Sequence, residues 1–354
     1  MRESMKKLLI ASTALVASTT FAMADVDLSG SAEMGVFGSD FDFDGVGGVI
    51  DEVLDQQGQF ATDIDVIFSM SGQTDAGLTF GAEVAFEDDI AGGQATDDES
   101  DDGGAVVFVS GGFGTLTMGD TDGALDFVMQ EAIIGGAIRD DHEHAGYNGN
   151  SLLDGFNGLD GQIARYEYTF GDFTVALSAE LDDDDRANEL LTGPFNGNQG
   201  PTYGIGGRYE GTFGATSFGV GLGYQVTDND RGDDSEALGV SLGVQMDMGL
   251  QAILNYTDYD NVAKVFEAAN GFPIGAAGID NHWGIAVGYE FGAFLVAANY
   301  GKFDLDGGGD VDGYGLIGNY DLGGGAELQA GYGRSNFDNV GDQDTYSFGI
   351  AMSF

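Results

Sequence analysis

Acidic side chains supply most of the chemistry that the sequence offers. A run of alternating aspartate and phenylalanine places carboxylates at Asp40, Asp42 and Asp44, and Asp51 follows at the position that closes an EF-hand calcium loop. Carboxylate oxygens are the ligands that hard divalent cations prefer. The flanking residues have a strand pattern, so a helix–loop–helix site is not expected. Asp40, Asp42 and Asp44 are candidate calcium ligands, and the alternative is a solvated acidic loop.

The three histidines give a weaker signal. His142 and His144 lie beside Asp141 and Glu143 and could bind a metal, whereas His282 stands apart at the start of a predicted strand. Histidines in an acidic loop are more often solvated. The chain has no cysteine, and its glycines do not form a phosphate-binding loop between a strand and a helix. No spacing suggests a nucleophile, base and acid that converge. The sequence therefore predicts that the protein is not an enzyme.

Composition excludes several classes of protein. The 354 residues include 60 acidic and 11 basic side chains, a formal net charge of −49. Nucleic acid is excluded as a general partner, because its phosphates require a basic surface. The 25 phenylalanines and 14 tyrosines can bury enough surface to argue against disorder. With 62 glycines but only 3 prolines the chain is not collagen-like.

The N-terminus has the features of an export signal. Basic residues at Arg2, Lys6 and Lys7 precede an apolar run from Leu8, and Ala22-Met23-Ala24 supplies a small-residue cleavage site. The apolar run is too short to span a membrane comfortably, which argues against an N-terminal anchor. We expect a Sec signal peptide over residues 1–24, cleaved after Ala24, and a mature chain over residues 25–354.

The mature chain reads as strands from end to end. Apolar residues alternate with small or polar ones with a period of two, as in the C-terminal strand, where Tyr346, Phe348 and Ile350 alternate with Ser347 and Gly349. Sixteen such segments occur, and helical periodicity is almost confined to residues 124–138. The connections between strands alternate between short glycine turns and long polar stretches, one of which is expected at residues 260–280.

This rhythm decides between two β architectures. A soluble sandwich gives no reason for short and long connections to alternate. A transmembrane barrel requires an even number of strands, short turns at one rim, long loops at the other, and an apolar face toward lipid. Closure leaves no strand edge whose backbone groups would lack partners in lipid. The sequence therefore predicts an all-β, sixteen-stranded antiparallel transmembrane barrel with long extracellular loops and short periplasmic turns.

The whole chain resembles a Gram-negative general porin of the alphaproteobacterial type. The resemblance rests on the signal peptide, the sixteen amphipathic strands, a 40-residue third long loop at residues 121–160, the opening Ala24-Asp25-Val26-Asp27 and the C-terminal aromatic strand that ends at Phe354. The third loop lacks the Pro-Glu-Phe-Gly-Gly stretch of the enterobacterial porins. The resemblance implies a homotrimer, and a third loop that folds into the barrel and narrows the pore opposite a cluster of basic side chains.

Strand parity identifies candidates for that constriction. Tyr166 and Tyr168 are expected to face lipid, which turns Arg165 inward, and the same argument turns Arg208 inward with Glu210. The alternative is that both arginines merely pair with neighbouring carboxylates. Lys302 and Arg334 share the parity of outward tyrosines and are expected at the outer rim. The candidate acids of the third loop are Asp126, Glu131, Asp140, Asp141 and Glu143.

Together these features predict the function and its setting. We expect an outer-membrane porin that forms a passive, water-filled channel for small hydrophilic solutes and ions. The excess of carboxylates predicts preference for cations. The alternatives are a solute-specific channel, or a cation-binding or adhesive surface barrel. No cofactor is required, although calcium is a candidate. The expected partners are permeating solutes and ions, outer-membrane lipid, lipopolysaccharide and two further copies of the chain.

Overall fold

A computed structural model describes most of the chain after residue 24. It covers residues 25–43, 56–88, 102–138, 144–154, 162–181, 199–229, 233–268 and 273–354. The predicted signal peptide at residues 1–24, the calcium candidate Asp44 and the loop acids Asp140, Asp141 and Glu143 lie outside the described residues. No helix among the described residues is long and apolar enough to cross a membrane.

Sixteen antiparallel strands follow one another along the chain. The first eight are β1 (Asp25–Phe43), β2 (Gln56–Gln73), β3 (Thr79–Asp88), β4 (Asp102–Gly111), β5 (Gly114–Asp120), β6 (Gln162–Phe170), β7 (Phe173–Glu180) and β8 (Gln199–Phe213). The others are β9 (Thr216–Asn229), β10 (Ser235–Met246), β11 (Leu250–Glu267), β12 (Pro273–Phe291), β13 (Phe294–Leu305), β14 (Asp310–Gly323), β15 (Ala326–Phe337) and β16 (Gly341–Ser353). Each strand pairs with its neighbours in sequence, and β1 also pairs with β16, so the sheet closes into a barrel.

The alternation read from the sequence is the alternation between the two faces of the barrel wall. On β16 the side chains of Tyr346 and Phe348 are 47% and 55% exposed on the outside, whereas Ser347 is buried on the inside. Large exposed apolar side chains recur on the outer face of the barrel. Water would make such a surface costly, but a lipid bilayer solvates it. The predicted fold is therefore confirmed.

Aromatic side chains form two belts on the outer face of part of the barrel. Toward the long loops lie Tyr256, Trp283, Tyr300, Tyr314, Tyr332 and Tyr346. Toward the short turns lie Tyr168, Phe170, Phe173, Tyr209, Tyr289, Phe291, Phe294 and Tyr320. Amphipathic rings of this kind concentrate where a membrane meets water. The belts thus mark the upper and lower edges of the membrane on the strands that carry them.

Two sequence-based assignments are wrong in detail. Residues 260–280, expected to be a long loop, consist largely of the extended ends of β11 and β12, which continue pairing beyond a bulge near Asp258. Glycine and alanine are common in this segment, and their small side chains give no alternation between apolar and polar residues from which a strand could be predicted. The segment 124–138 was expected to be helical, but helix α1 spans only Ala124–Val128. Beyond it, side chains of the barrel wall replace the helical hydrogen-bond partners.

Candidate pore constriction

The loop between β5 and β6 lies inside the barrel, against its wall. Its first limb comprises residues 121–138 and its return limb residues 144–154. Helix α1 begins the first limb and packs on β7, β8 and β9. Gly206 and Gly223 make this approach possible, because a Cβ at either position would lie 2.6 Å from Val128 or 2.8 Å from Leu125. The glycine-rich inner face of the strands is therefore a seat for the loop as well as a lumen wall.

The first limb then follows the wall around more than half of the barrel. The Gln130 N–H donates to Ser241 Oγ on β10 at 2.9 Å. The Asn319 side chain on β14 both donates to the Gly136 carbonyl, at 2.8 Å, and accepts from the Gly136 N–H. Finally Ile138 is buried against Phe37 of β1. These wall contacts satisfy the backbone groups that a continued helix would have paired internally.

The return limb runs back along the same wall, nearer the long loops. Its polar contacts are His144 with Asn299 at 3.0 Å, the Ala145 N–H with Ser335 at 2.9 Å, His282 with the Gly146 carbonyl at 3.0 Å, and the Asn148 amide with the Tyr259 hydroxyl at 2.9 Å. The histidines His144 and His282 are both buried and attach the loop to the wall. Both histidines thus have a structural role among the described residues. This differs from the expectation that a histidine of the acidic loop is solvated.

Asp154 joins the end of the return limb to the start of the first. Its carboxylate accepts from the Gly123 N–H at 2.8 Å and from the Gln225 amide at 2.6 Å. Burial raises the pKa of Asp154 from 3.8 to about 7, although both hydrogen bonds oppose this change. Because the folded loop holds this proton more tightly than an unfolded chain, the resulting stabilisation is complete below pH 3.8 and is lost as the pH rises through about 7.

Arg165 and Arg208 both point inward, and both contact the first limb. Arg165 donates to the Asp122 carbonyl at 2.8 Å, and its guanidinium lies 4.0 Å from the centre of the Phe127 ring. The Arg208 guanidinium lies 5.4 Å from the same ring. The inward parity read from the sequence is therefore correct. The two arginines meet at one aromatic side chain of the loop, an arrangement that sequence reasoning did not anticipate.

Each arginine also pairs with a carboxylate on its own strand. Arg165 lies 3.4 Å from Glu167, and Arg208 lies 3.6 Å from Glu210. The Arg165 side chain is only 6% exposed, whereas that of Arg208 is 28% exposed. Each arginine thus pairs with a neighbouring carboxylate and also contacts the constriction loop. Arg208 is the more accessible of the two to a permeating solute.

Two of the predicted loop acids, Asp126 and Glu131, lie among the described residues. Asp126 lies in helix α1 and is only 6% exposed. Glu131 accepts a hydrogen bond from the Tyr147 hydroxyl of the return limb. The expected arrangement, with loop acids on one side of the pore and wall arginines on the other, stays a prediction.

A further group of carboxylates lies on the arc of inner wall that β1, β2 and β3 form. Gly35 of β1 faces Ile138 of the loop, so Glu33 shares its inward face, and the register places Asp63 directly opposite Glu33. Asp65 accepts from Ser31 and Glu83 from Ser69, each at 2.8 Å. These acids are Glu33, Asp63, Asp65 and Glu83. Sequence reasoning missed them as a group, although their alternation with outward Ile64, Val66 and Phe68 contained the signal.

The calcium candidates have a different setting from the one expected. Asp40 and Asp42 lie in β1 and not in a loop, on the outer face, opposite Asp344 and Asp342 of β16. No group of three or more histidine, cysteine or acidic side chains among the described residues is arranged to hold a metal ion. The assignment of Asp40 and Asp42 to a loop was wrong because the strand continues through the alternating motif. Calcium binding stays a prediction, checked by calorimetric titration.

Lys302 and Arg334 lie on the outer face near the long loops, as their parity predicted. Lys302 lies 2.9 Å from Asp310 and 3.3 Å from Asp304. Arg334 lies 2.6 Å from Asp342 and 3.1 Å from Asp344. Exposed ion pairs of this kind contribute about 0–1 kcal/mol each. Their position next to the upper aromatic belt places them at the level of lipid headgroups.

Comparison with known proteins agrees with this architecture. A sequence model of the Gram-negative porin family matches residues 11–340. A porin of Rhodobacter capsulatus is 30% identical over 327 residues, which cover 89% of this chain and 96% of the relative. A porin structure refined at 1.8 Å resolution aligns with a TM-score of 0.63 and 26% identity, covering 93% of this chain and all of that one. A mutant porin of Rh. blastica aligns with a TM-score of 0.60 at 19% identity, over 93% of this chain and all of that one, and supports the fold alone.

The family match spans nearly the whole chain, and the sixteen-stranded closed barrel is the fold of its solved relatives. The inward loop, the polar lumen and the apolar exterior are the features that such a channel requires. The chain therefore belongs to the Gram-negative porin family, whose members are outer-membrane β-barrel channels and not enzymes.

Proposed function

We propose that the channel is a passive, water-filled pore for small hydrophilic solutes that prefers cations to anions. The observation that carries the preference is the row of inward carboxylates Glu33, Asp63, Asp65 and Glu83 on β1, β2 and β3. Arg165 and Arg208, the inward arginines at the level of the first limb, lie beside Glu167 and Glu210. Among the described residues of this path a cation passes more carboxylates than basic groups, which lowers its free energy relative to that of an anion.

Electrical recording in a planar bilayer tests the preference. With potassium chloride more concentrated on one side, we expect the dilute side to be electrically positive at zero current, because potassium crosses the pore faster than chloride. A reversal potential of the opposite sign would refute the cation preference.

Liposome swelling with a size series of neutral sugars tests the passive pore. We expect uptake that falls smoothly with sugar size, whereas uptake of a single sugar would favour a solute-specific channel.

The outer face offers a second proposal, which concerns assembly. None of the strands β1 to β5 contains a tyrosine or tryptophan, although these strands expose Val107 and Met118 at 58% and 55%. Amphipathic aromatic rings are what a lipid-facing wall normally places at the membrane edges. We infer that this tyrosine-free face packs against two further copies of the chain in a homotrimer. The tyrosine-bearing face, with Lys302 and Arg334, then contacts outer-membrane lipid and lipopolysaccharide.

A charge introduced into the tyrosine-free face should dissociate the trimer. We expect the native protein in mild detergent to have the mass of three chains, and the double variant Val107→Asp/Met118→Asp to have the mass of one. Burial of unpaired carboxylates in an apolar interface is the cause. Val240→Asp, at a 43% exposed position of β10, places one added carboxylate against detergent and should remain trimeric. Light scattering with detergent correction measures the mass, and a monomeric native protein would exclude this assembly.

A further inference from the structure

A pocket opens inside the barrel on the short-turn side of the first limb. It has a volume of about 510 Å³ and lies between β8, β9, β10 and β11. This volume falls in the range of about 300–1,000 Å³ that is usual for small-molecule sites. Its lining includes three side-chain amides, Gln130, Gln245 and Gln251, and two hydroxyls, Thr212 and Ser217. We refer to it as the amide pocket.

Gln130 is held over the pocket by its surroundings. Its backbone is fixed by Ser241 at 2.9 Å and by the Asn255 amide at 3.3 Å. Its side chain lies over two glycines of the wall, since a Cβ on Gly219 would be 2.7 Å from Gln130 Nε2, and a Cβ on Gly243 would collide with Gln130 Oε1. The amide group is therefore positioned in advance, which lowers the entropic cost of binding a ligand.

The barrel wall supplies the other polar groups of the pocket. The Gln251 amide donates to Glu290 at 2.6 Å, and this bond uses an N–H of the amide and not its carbonyl oxygen. Gln245 and Ser217 lie at the inner surface of the wall. The charged lining residues are Asp172 and Glu210, and Glu210 lies 3.6 Å from Arg208. The other polar residues of the lining are uncharged and supply both donors and acceptors.

This chemistry matches a ligand with several adjacent hydroxyl groups. Each amide offers two N–H donors and one carbonyl acceptor, and each hydroxyl of a sugar both donates and accepts. A metal cation would need a set of converging oxygens, and a phosphate would need a basic group nearer than Arg208. The exposed carboxylate of Glu210 leaves a cationic amino sugar as the competing ligand, which a comparison of glucose with glucosamine separates.

We propose that the amide pocket is a weak docking site for neutral polyhydroxyl solutes, which concentrates small sugars beside the constriction. The proposal rests on the proposed function, because only a conducting pore brings solutes to this surface. Docking of this kind raises the flux of a dilute sugar above that of a solute of equal size that does not bind. It does not close the channel to other solutes.

Current recording with added glucose tests the site. In a conducting channel of the full protein, we expect glucose to increase the noise of the ion current. This added noise should reach a plateau as the glucose concentration rises. In the double variant Gln245→Ala/Gln251→Ala we expect the apparent Kd for glucose to rise about three- to tenfold for each amide removed. Gln245→Ala alone guards against a folding defect in the double variant. Gln73→Ala removes an exposed amide from the short-turn end of β2 and should leave the Kd unchanged.

Each outcome decides between defined alternatives. A native channel that conducts but shows no saturable glucose effect would overturn the docking site and leave the pore intact. Absence of any conductance would instead refute the proposed function. Equal Kd values in native protein and the double variant would place the binding elsewhere. A lower apparent Kd for glucosamine than for glucose would identify an amino-sugar site if the difference disappears in the Glu210→Gln variant. That result would overturn the proposal of a site for neutral sugars.

Discussion

Converting Asp63, Asp65 and Glu83 to their amides should collapse most of the cation preference of the channel. At a separation of about 4 Å, one carboxylate stabilises a monovalent cation by about 1 kcal/mol even at the dielectric constant of water. That energy corresponds to a factor of about five in permeability ratio, and three carboxylates line the same arc. The variant Asp63→Asn/Asp65→Asn/Glu83→Gln keeps the acceptor oxygens that Ser31 and Ser69 use. We therefore expect an intact barrel whose reversal potential moves strongly toward zero.

A second triple variant separates local charge from total charge. Asp258, Asp280 and Asp312 lie near the outward tyrosines Tyr256 and Tyr300. Their conversion to asparagine changes the net charge by the same three units but leaves the lumen as it was. We expect a reversal potential close to that of the native protein. Equal shifts in the two triple variants would contradict selection by the lumen arc. High salt should reduce the native preference, because screening shortens the reach of each carboxylate.

Replacement of Arg165 by alanine should detach the start of the constriction loop while leaving the barrel closed. Its side chain joins the Asp122 carbonyl, the Phe127 ring and Glu167 in a site where it is itself 6% exposed. Removing one member of a buried ion pair costs about 3–5 kcal/mol. We expect the lower end of that range, because Glu167 keeps 21% exposure and Asp122 keeps 30%. The result should be a larger and noisier single-channel conductance.

Arg208→Ala is the matched control, because Arg208 faces the same ring from an inward position on β8. It is 28% exposed, and its bond to the Phe127 carbonyl is 3.4 Å long, so its loss should change loop stability by about 1 kcal/mol or less. Limited proteolysis of the loop measures the detachment, and heat-dependent mobility in detergent gels reports the barrel. Unaltered conductance noise in Arg165→Ala would argue against the anchor, as would an equal effect of both variants.

The barrel could be predicted from the sequence because its main determinant is local. Alternation with a period of two assigns each side chain to one face, and this parity alone predicts that Arg165 and Arg208 point inward. The lengths of the connections then indicate which rim carries the loops. The same reasoning gives the wrong boundary for Asp40 and Asp42, since alternation alone does not say where pairing ends. It misses the extension of β11 and β12 where small residues remove the contrast between faces.

The constriction depends on contacts that no local pattern contains. Gly136 is fixed by Asn319, 183 residues further along the chain, and Gln130 by Ser241, 111 residues away. Asp126 has the appearance of a pore-lining acid in sequence, but it is buried once helix α1 lies against β7, β8 and β9. By itself the sequence determined the number of strands, the face of each wall residue and the membrane setting, since these follow from period and length. Only the tertiary structure decided where the loop contacts the wall, because that depends on which distant wall side chains satisfy the loop backbone.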